Sequence, residues 1–429
     1  MKKRNNKRIG HALKHKNKTP LGLIKQFNEP ENMVIVSNNE VEQSKRKNAM
    51  IDFAVFNKLE IYLSERYEFR RNIVTGRNEG KKFGEDTFVE VDKNYRNSIL
   101  REARQNSILF KKDELQDLLC SDFVAEYDPF VEYVQHLPEW KEGDRDYIQE
   151  LSNSVTLKEE NNEYWQFCLK KWLVAAIGCL IEKDIVNESV LVFSGPQGIG
   201  KTRWITNLLP TALNGHFYSG IVNPNNKDSI INCAECFIVN MDELSGFIEK
   251  KSEDFKQLIT NQIIRVRRPY NDRFETIPRR CSFVGSTNEH QFLYDNTGSR
   301  RVLAFEVTEL NLPEFPIDFV WAQAFSLLES GFRFWFNQDE IVQLTNNNQK
   351  HQVLSIEEEL VVEFFEPASE TVDPDISFST SNIIQFLGTQ NPVARRCNVH
   401  RFGKVLHSKG YRPRKSNGSL LYDLKLKNR

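Results

Sequence analysis

Short apolar runs separated by polar, glycine-containing turns predict that the centre of this chain is an α/β fold. The runs Val190–Phe193, Cys236–Met241, Ser282–Thr287 and Val302–Phe305 are of the kind that form buried strands. From 164 to 182, apolar residues recur at helical spacing, which predicts a long helix with one apolar face ahead of the first strand. Apolar strands that alternate with helices are typical of a parallel sheet covered by helices.

The flanks of this centre have weaker patterns. Residues 51–155 contain mixed apolar periods and helix candidates, so we expect a small, mainly helical domain there. Beyond residue 355, an acidic linker precedes a basic segment that predicts two helices and then a hairpin turning at Asn417 and Gly418. This order is that of a winged-helix-like module. The pattern therefore predicts a core over 156–355 and a C-terminal module over 356–429.

The charge distribution and the cysteine content indicate a basic tail and a reducing compartment. The 429-residue chain has a net charge of −1, yet its first 18 positions hold only basic charges. Residues 1–50 therefore resemble a basic disordered tail, which is either simply solvated or touches nucleic acid. The seven cysteines are scattered and odd in number, which argues against a disulfide framework and favours a reducing cytoplasm. The longest apolar run, Trp172–Ile181, is too short to cross a membrane.

The turn after the first apolar strand carries the most specific motif. It fills every fixed position of the phosphate-binding loop pattern with Gly195, Pro196, Gln197, Gly198, Ile199, Gly200, Lys201 and Thr202. The glycines let backbone N–H groups turn toward a polyphosphate, and the helix predicted after the loop begins with an N-terminus that favours anions. Lys201 can reach the β- and γ-phosphates, and Thr202 can place its hydroxyl on Mg²⁺. We expect a site for ATP and Mg²⁺ here, with Lys201 at the surface and of little importance for packing.

Two carboxylates end the next apolar strand. Asp242 is expected to hold the Mg²⁺ shell, and Glu243 to polarise the attacking water. The alternative is an ordinary buried strand with charged ends. The ATPase interpretation is favoured because the pair follows the loop by about forty residues, which suits a compact ATPase core.

Polar residues beside the last two apolar strands complete the predicted catalytic set. Asn288 follows the strand that starts at Ser282, where its amide can lie between the attacking water and the γ-phosphate. Arg300 and Arg301 precede the strand that starts at Val302. An exposed arginine pair at such a position is typical of an arginine finger supplied to a neighbouring subunit. A surface charge pair near a turn is the alternative.

Basic residues alternate with apolar and aromatic ones between residues 264 and 274. A basic hairpin with an aromatic residue can grip single-stranded nucleic acid by phosphate contact and stacking. The candidate DNA-binding residues are Arg265, Arg267, Arg268, Tyr270 and Arg273. The alternative is a surface hairpin that docks on a neighbour. The basic residues of the C-terminal module have two interpretations as well, DNA contact or a small structural cap.

These motifs together resemble the virulence-associated protein E family, which is related to superfamily 3 AAA+ helicases of viruses, plasmids and integrated mobile elements. The resemblance covers roughly residues 156–350. It rests on the loop, the Asp242 strand, the hairpin, the Asn288 strand and the arginine pair, and Lys227-Asp228 and Trp321–Ala324 also fit. It implies a P-loop AAA+ ATPase core, ring assembly with hexamers favoured, ATP between subunits and a DNA-binding hairpin. Members often carry an upstream primase module, and no convincing one is present in this chain.

The sequence therefore favours an ATP-driven DNA-translocating motor, a replicative helicase of a phage, plasmid or integrated mobile element that encloses single-stranded DNA. Two alternatives stay open. One is an ATPase switch in defence or transposition that remodels protein on DNA without unwinding it. The other is an origin-binding scaffold whose ATPase only controls assembly.

Overall fold

The structure is a computed structural model that describes residues 56–159, 161–242, 252–268, 274–293, 299–366, 374–416 and 418–427. The chain divides into two compact units, Met1–Glu68 with Asp92–Cys120, and Phe69–Val91 with Ser121–Arg429. The predicted basic tail over 1–50 lies outside the described residues. Across the described ranges, no helix is both long and apolar enough to cross a membrane.

The regular structure of the first unit is helical, apart from Tyr67 and Glu68, which begin a strand. It contains α1 (residues 56–64), α2 (Lys93–Gln105) and α3 (Lys112–Leu119). The Asp92 carboxylate accepts a hydrogen bond from the Tyr95 amide at the start of α2, so the helix begins at a capped end. The buried apolar residues of these helices are Leu59, Leu63, Ile99, Ala103, Leu115, Leu118 and Leu119.

A four-stranded sheet, most of it in the second unit, accompanies the helices that were expected over 51–155. Its strands are β1 (Tyr67–Asn72), β2 (Arg77–Lys82), β3 (Val89–Glu90) and β4 (Ala125–Tyr127), in the order β3-β2-β1-β4. The hydrophobic pattern did not indicate them because β1 and β2 are rich in charged residues and largely lack apolar alternation. The region therefore combines helices with a polar sheet.

The central sheet has six strands and matches the α/β prediction. They are β5 (Val155–Leu157), β6 (Val190–Ser194), β7 (Phe217–Gly220), β8 (Ile238–Asp242), β11 (Ser282–Thr287) and β12 (Val302–Leu310), in the order β5-β12-β6-β11-β8-β7. The last five strands of that order run parallel, and β5 pairs antiparallel with β12. A separate antiparallel pair is formed by β9 (Ile263–Val266) and β10 (Glu275–Pro278). Because β11 lies between β6 and β8, the three predicted ATP motifs follow neighbouring strand ends.

Helices cover this sheet. They are α4 (Pro129–Gln135), α5 (Tyr147–Asn153), α6 (Asn162–Ile181), α7 (Lys201–Asn207), α8 (Lys227–Glu235), α9 (Ser252–Thr260), α10 (Asp318–Glu329) and α11 (Gln338–Asn348). The predicted long helix is α6, which is buried on nearly every side rather than on one face. It packs against α10, and Trp165, Trp172, Trp204 and Trp321 fill the main core.

The C-terminal segment has its own small core. It contains α12 (Ile356–Phe364), β13 (Ile376–Phe378), α13 (Thr380–Gln390), α14 (Val399–Ser408), β14 (Arg414–Ser416) and β15 (Ser419–Leu424). The predicted succession of helix, helix and hairpin is present, and β13 adds a third strand to the hairpin in the order β13-β15-β14. Leu360, Phe364, Ile383, Phe402 and Leu424 are buried together.

Backbone hydrogen bonds connect the segment after β11 to the chain that enters α12. The His351 carbonyl accepts from the amides of Phe292 and Leu293 at 2.9 Å each, and the Val353 amide donates to the Leu293 carbonyl at 2.9 Å. The His351 imidazole adds a hydrogen bond to the His290 carbonyl. The strand end that carries Asn288 is thereby fastened to the start of the C-terminal segment.

Candidate functional site

The loop between β6 and α7 has a backbone that only glycine accommodates at its first and last turns. Gly195 has φ of 150°, and a Cβ there would lie 2.2 Å from the Val307 carbonyl oxygen of the adjacent strand β12. Gly200 has φ of 93° and occupies the position before α7. Both residues therefore need glycine, for close backbone approach in one case and for a left-handed conformation in the other.

Lys201 reaches back across this loop. Its ammonium donates to the carbonyls of Gly195 and Pro196 at 2.8 Å each and to the Asn288 amide oxygen at 2.9 Å. The contact with Asn288 exists because β11 runs parallel to β6 with Thr287 opposite Ser194, so that both strands end at one edge of the sheet. Lys201 is only 8% exposed, which corrects the expectation of a surface lysine, and burial lowers the pKa of its ammonium.

A cavity of about 840 Å³ opens above the loop. Its lining includes the predicted residues Gln197, Gly198, Gly200, Lys201, Thr202 and Asn288. Sequence reasoning missed five further lining residues, Arg203, Ile221, Ser286, Thr287 and Glu289. Arg203 and Glu289 are adjacent to motif residues and could have been found that way, whereas nothing local marks Ile221, which follows the edge strand β7. The volume and the polar lining suit a polyphosphate ligand.

The predicted magnesium ligands are placed in part. Thr202 lines the cavity, and β8 ends at Asp242, opposite Ser286 of β11. Parallel pairing therefore brings the backbone of Asp242 to the edge of the sheet where the loop lies. Glu243 lies outside the described residues. Within the described ranges, no group of three His, Cys, Asp or Glu residues is arranged to hold a metal ion.

Arg300 and Arg301 lie at the opposite edge of the sheet from the loop. They belong to a short 3-10 turn, Ser299–Arg301, and Val302 after it pairs with Val190, the first residue of β6. The loop begins after the last residue of β6, so a strand of five residues, about 16 Å at ~3.3 Å per residue, separates the two positions. That distance exceeds the reach of an arginine side chain. The pair lines a second cavity, of about 540 Å³.

The basic hairpin is described up to Arg268 and again from Phe274. Arg265 and Arg267 are exposed, and the Arg265 guanidinium lies 5.2 Å from the Phe274 ring centre. Arg268 is different, because its side chain is only 11% exposed. Its Nε lies 3.5 Å from a Glu235 carboxylate oxygen and 3.6 Å from one of Glu275, and its Nη2 donates to the Val74 carbonyl. The predicted residues Tyr270 and Arg273 lie outside the described part of the chain.

Comparison with known proteins identifies the family. The model of the virulence-associated protein E-like domain matches residues 135–353, about half of the chain. This chain belongs to the virulence-associated protein E-like family. The match confirms the resemblance and extends it upstream of the predicted core to Gln135, the last residue of α4, so that it includes α5.

Comparison with solved structures gives weaker matches than the family model. Three structures of the NrS-1 C-terminal region match with 11%, 13% and 11% identity and TM-scores of 0.43, 0.37 and 0.39. The matches cover 86%, 85% and 86% of this chain and 98% of each NrS-1 chain. Such scores are too low to establish a shared fold. No curated protein matches the chain.

Two features fall outside the chemistry that the motifs indicate. The C-terminal segment follows the matched family region, and Arg401, Lys404, Arg412, Arg414 and Lys415 are exposed on its α14 and hairpin.

Buried thiols are the second feature. Cys233 and Cys236 are buried in the same cluster as Cys281, and all three are free thiols. A hydrogen bond with Cys281 is the main cause that raises the pKa of Cys233. Their burial fits packed thiols.

Proposed function

We propose that this chain is an ATP-driven DNA-translocating motor that acts as a replicative helicase of a mobile genetic element. The proposal rests above all on one observation, the contact of Lys201, at the end of the glycine loop, with Asn288, at the end of β11. Both residues line a large polar cavity. This arrangement gathers a phosphate-binding cation and a γ-phosphate-sensing amide at one edge of a parallel sheet. Family membership supports a role in mobile-element replication.

The loop supports binding and hydrolysis of ATP with Mg²⁺. Backbone N–H groups of the loop cradle the phosphates, Lys201 contacts the β- and γ-phosphates, and Thr202 and Asp242 hold the Mg²⁺ shell. Glu243 polarises the attacking water, and Asn288 orients it against the γ-phosphate. Lys201 exchanges its loop carbonyls for phosphate oxygens when the nucleotide enters, since both kinds of oxygen compete for one ammonium.

The arginine pair supports a ring. Arg300 and Arg301 are too far from the loop of their own chain to touch its nucleotide, so a finger role requires a neighbouring subunit. In this proposal the chain forms an AAA+ ring, with a hexamer favoured, and ATP is bound between subunits. Hydrolysis then depends on protein concentration.

DNA is the proposed partner of two basic surfaces. Arg265 and Arg267, with Tyr270 and Arg273, grip single-stranded DNA in the ring channel by phosphate contact and stacking. The C-terminal module is proposed to be winged-helix-like, and the exposed Arg401 and Lys404 on α14 would contact duplex phosphates.

A second candidate is an ATPase switch that remodels protein on DNA without unwinding it. The observation that favours this function is Arg268, because its ion pairs with Glu235 and Glu275 remove one of the hairpin cations from DNA contact. An origin-binding scaffold is the third outcome to distinguish. It rests only on the basic surface of the C-terminal module.

Unwinding of a forked DNA by the purified full chain tests these functions. Wild type should unwind the fork with ATP and Mg²⁺, Lys201→Ala should not, and Lys112→Ala, an exposed lysine of α3, should behave as wild type. Hydrolysis that DNA stimulates without unwinding would support the switch. Tight, sequence-specific binding without turnover would support the scaffold and reject the motor.

A further inference from the structure

A carboxylate on β12 lies beside the start of the nucleotide loop but not in the nucleotide cavity. Glu306 is opposite Ser194, the last residue of β6, and the two strands are parallel neighbours in the sheet. Its side chain is 13% exposed, and it is not among the described residues that line the cavity of about 840 Å³. Any effect of Glu306 on a nucleotide must therefore pass through other residues.

One oxygen of Glu306 holds two basic side chains from different parts of the chain. Lys158 follows the last residue of β5, and its ammonium donates to Oε1 at 2.7 Å. Nδ1 of His290 lies 2.7 Å from the same oxygen. An imidazole nitrogen so close to a carboxylate oxygen carries a proton, because two bare acceptors would repel each other. Glu306 therefore connects the end of β5 to the segment after β11.

His290 belongs to the turn that presents Asn288. The turn follows β11, and its Glu289 amide donates to the Thr287 hydroxyl at 3.1 Å. Nδ1 of His351 donates to the His290 carbonyl at 2.9 Å. The Nε2 of the same His351 ring is buried without a hydrogen-bond partner among the described residues, which is unfavourable. The turn is thus held at its backbone by His351 and at its side chain by Glu306.

Asn288 depends on this turn for its orientation. Across the described part of the chain, its side chain has a single hydrogen bond, in which the amide oxygen accepts from Lys201 at 2.9 Å. In the proposed function, phosphate oxygens compete with that amide for the Lys201 ammonium. The backbone of the turn must then keep the Asn288 amide directed at the γ-phosphate, so the contacts that hold the turn matter for the reaction.

We propose that Glu306 is a positioning residue of the ATP site, which holds His290 and thereby fixes the turn that presents Asn288. The inference rests on the proposed function and adds a residue to it. Glu306 supports the rate of hydrolysis and contributes little to nucleotide affinity, because it contacts neither the loop amides nor Lys201. A misplacement of about 1 Å in a reacting group can cost on the order of 100-fold in rate.

The other partner of Glu306 supplies a matched control. Lys158→Ala removes a hydrogen bond of 2.7 Å to the same carboxylate oxygen but leaves the contact with His290 in place. The two partners are also alike in exposure, at 55% for Lys158 and 60% for His290. A carboxylate that only stabilises the fold would make both partners equally important for turnover, whereas a positioning residue acts through His290 alone.

The test measures phosphate release by the full chain over a range of ATP concentrations. Glu306→Ala and His290→Ala should each lower kcat on the order of 10- to 100-fold and leave KM for ATP nearly unchanged, and Lys158→Ala should behave as wild type. The double variant at 290 and 306 should be no slower than either single variant, because both changes break one contact. Glu306→Gln keeps an oxygen that can accept from His290 and should recover part of the loss.

A second mutant cycle connects the effect to Asn288. In an Asn288→Ala background, Glu306→Ala should have no further effect on kcat, since the side chain that it positions is gone. A purely structural role would instead lower kcat by the same factor in both backgrounds. Binding of a fluorescent ATP analogue should be equal for the Glu306, His290 and Lys158 variants, which also shows that they are folded.

Three outcomes overturn the positioning role. They are wild-type turnover in Glu306→Ala, a loss in Lys158→Ala as large as that in His290→Ala, and effects of Glu306→Ala and Asn288→Ala that multiply. Lys201→Ala separates such a failure from that of the proposed function. If it abolishes turnover while Glu306→Ala equals wild type, the ATP site stands and the positioning role is wrong. A wild type that does not hydrolyse ATP would refute the proposed function and this inference with it.

Discussion

Replacing Lys201 by alanine should separate catalysis from folding. Its ammonium makes three hydrogen bonds, to Gly195, Pro196 and Asn288. A typical intramolecular hydrogen bond contributes about 0.5–1.5 kcal/mol, so the gross loss for three is about 1.5–4.5 kcal/mol. Two effects offset part of it, since the cost of burying the ammonium disappears and water from the open cavity can reach the freed oxygens. We expect a net loss of stability below about 2 kcal/mol.

The effect on turnover should be much larger. Removing one donor that stabilises developing charge in a transition state costs about 10²–10³ in rate, or roughly 3–4 kcal/mol. The assays are urea unfolding for stability and phosphate release for turnover, both on the full chain. Lys201→Met is the informative companion because it keeps most of the apolar stem and removes only the charge. A folded Lys201→Ala protein that hydrolyses ATP within tenfold of wild type would refute the site.

A double-mutant cycle with Asn288 tests the contact itself. If Lys201 and Asn288 act through their 2.9 Å hydrogen bond, the effects of Lys201→Ala and Asn288→Ala on turnover should not add. A coupling energy of about 0.5–3 kcal/mol is expected for residues in contact. Additivity within about 0.5 kcal/mol would show that the two side chains work independently.

Three further expectations concern the carboxylate pair, the hairpin and the ion pair of Arg333 with Glu340. Glu243→Gln should bind ATP and Mg²⁺ but hydrolyse slowly, and normal phosphate release would reject its role in polarising water. Arg267→Ala should lower the affinity for single-stranded DNA and flatten its salt dependence, whereas Arg268→Ala should mainly lower the melting temperature; equal salt slopes for both variants would contradict this division. Arg333 lowers the pKa of Glu340 from 4.5 to about 2, so this ion pair stabilises the protein above pH 4.5 and its contribution is lost as the pH falls toward 2. Urea unfolding of Glu340→Gln should therefore converge with wild type at low pH, and a constant difference would disprove the assignment.

The sequence predicted those features of the fold and of the candidate site that depend on residues close together in the chain. The loop motif, the apolar strands and the strand-end position of Asn288 all follow from neighbours in the chain, and the structure places Lys201 and Asn288 together as parallel strands require. The C-terminal helices and hairpin were also predictable from periodicity and an Asn-Gly turn.

What the sequence did not show depends on distant contacts. Strands β1 and β2 look like solvated chain because their charged side chains pair across the sheet, as in the ion pair of Arg70 on β1 with Glu79 on β2 at 2.8 Å. Arg268 looks like a DNA ligand until Glu235 and Glu275 are seen beside it. The hydrogen bond from the Lys171 ammonium to the Trp335 carbonyl has no local signal either, because the two residues lie more than 160 positions apart in the chain.

The backbone bonds of His351 and Val353 to the segment after Asn288 have a consequence for how this protein tolerates mutation. Main-chain amides and carbonyls form this connection, so most side-chain substitutions leave it intact. Proline is the exception, because it removes the donor at Phe292, Leu293 or Val353. A genetic screen for variants in which the C-terminal segment is no longer connected to the strand end that carries Asn288 should therefore return prolines and insertions near residues 292 and 353. Other missense changes should be rare among them.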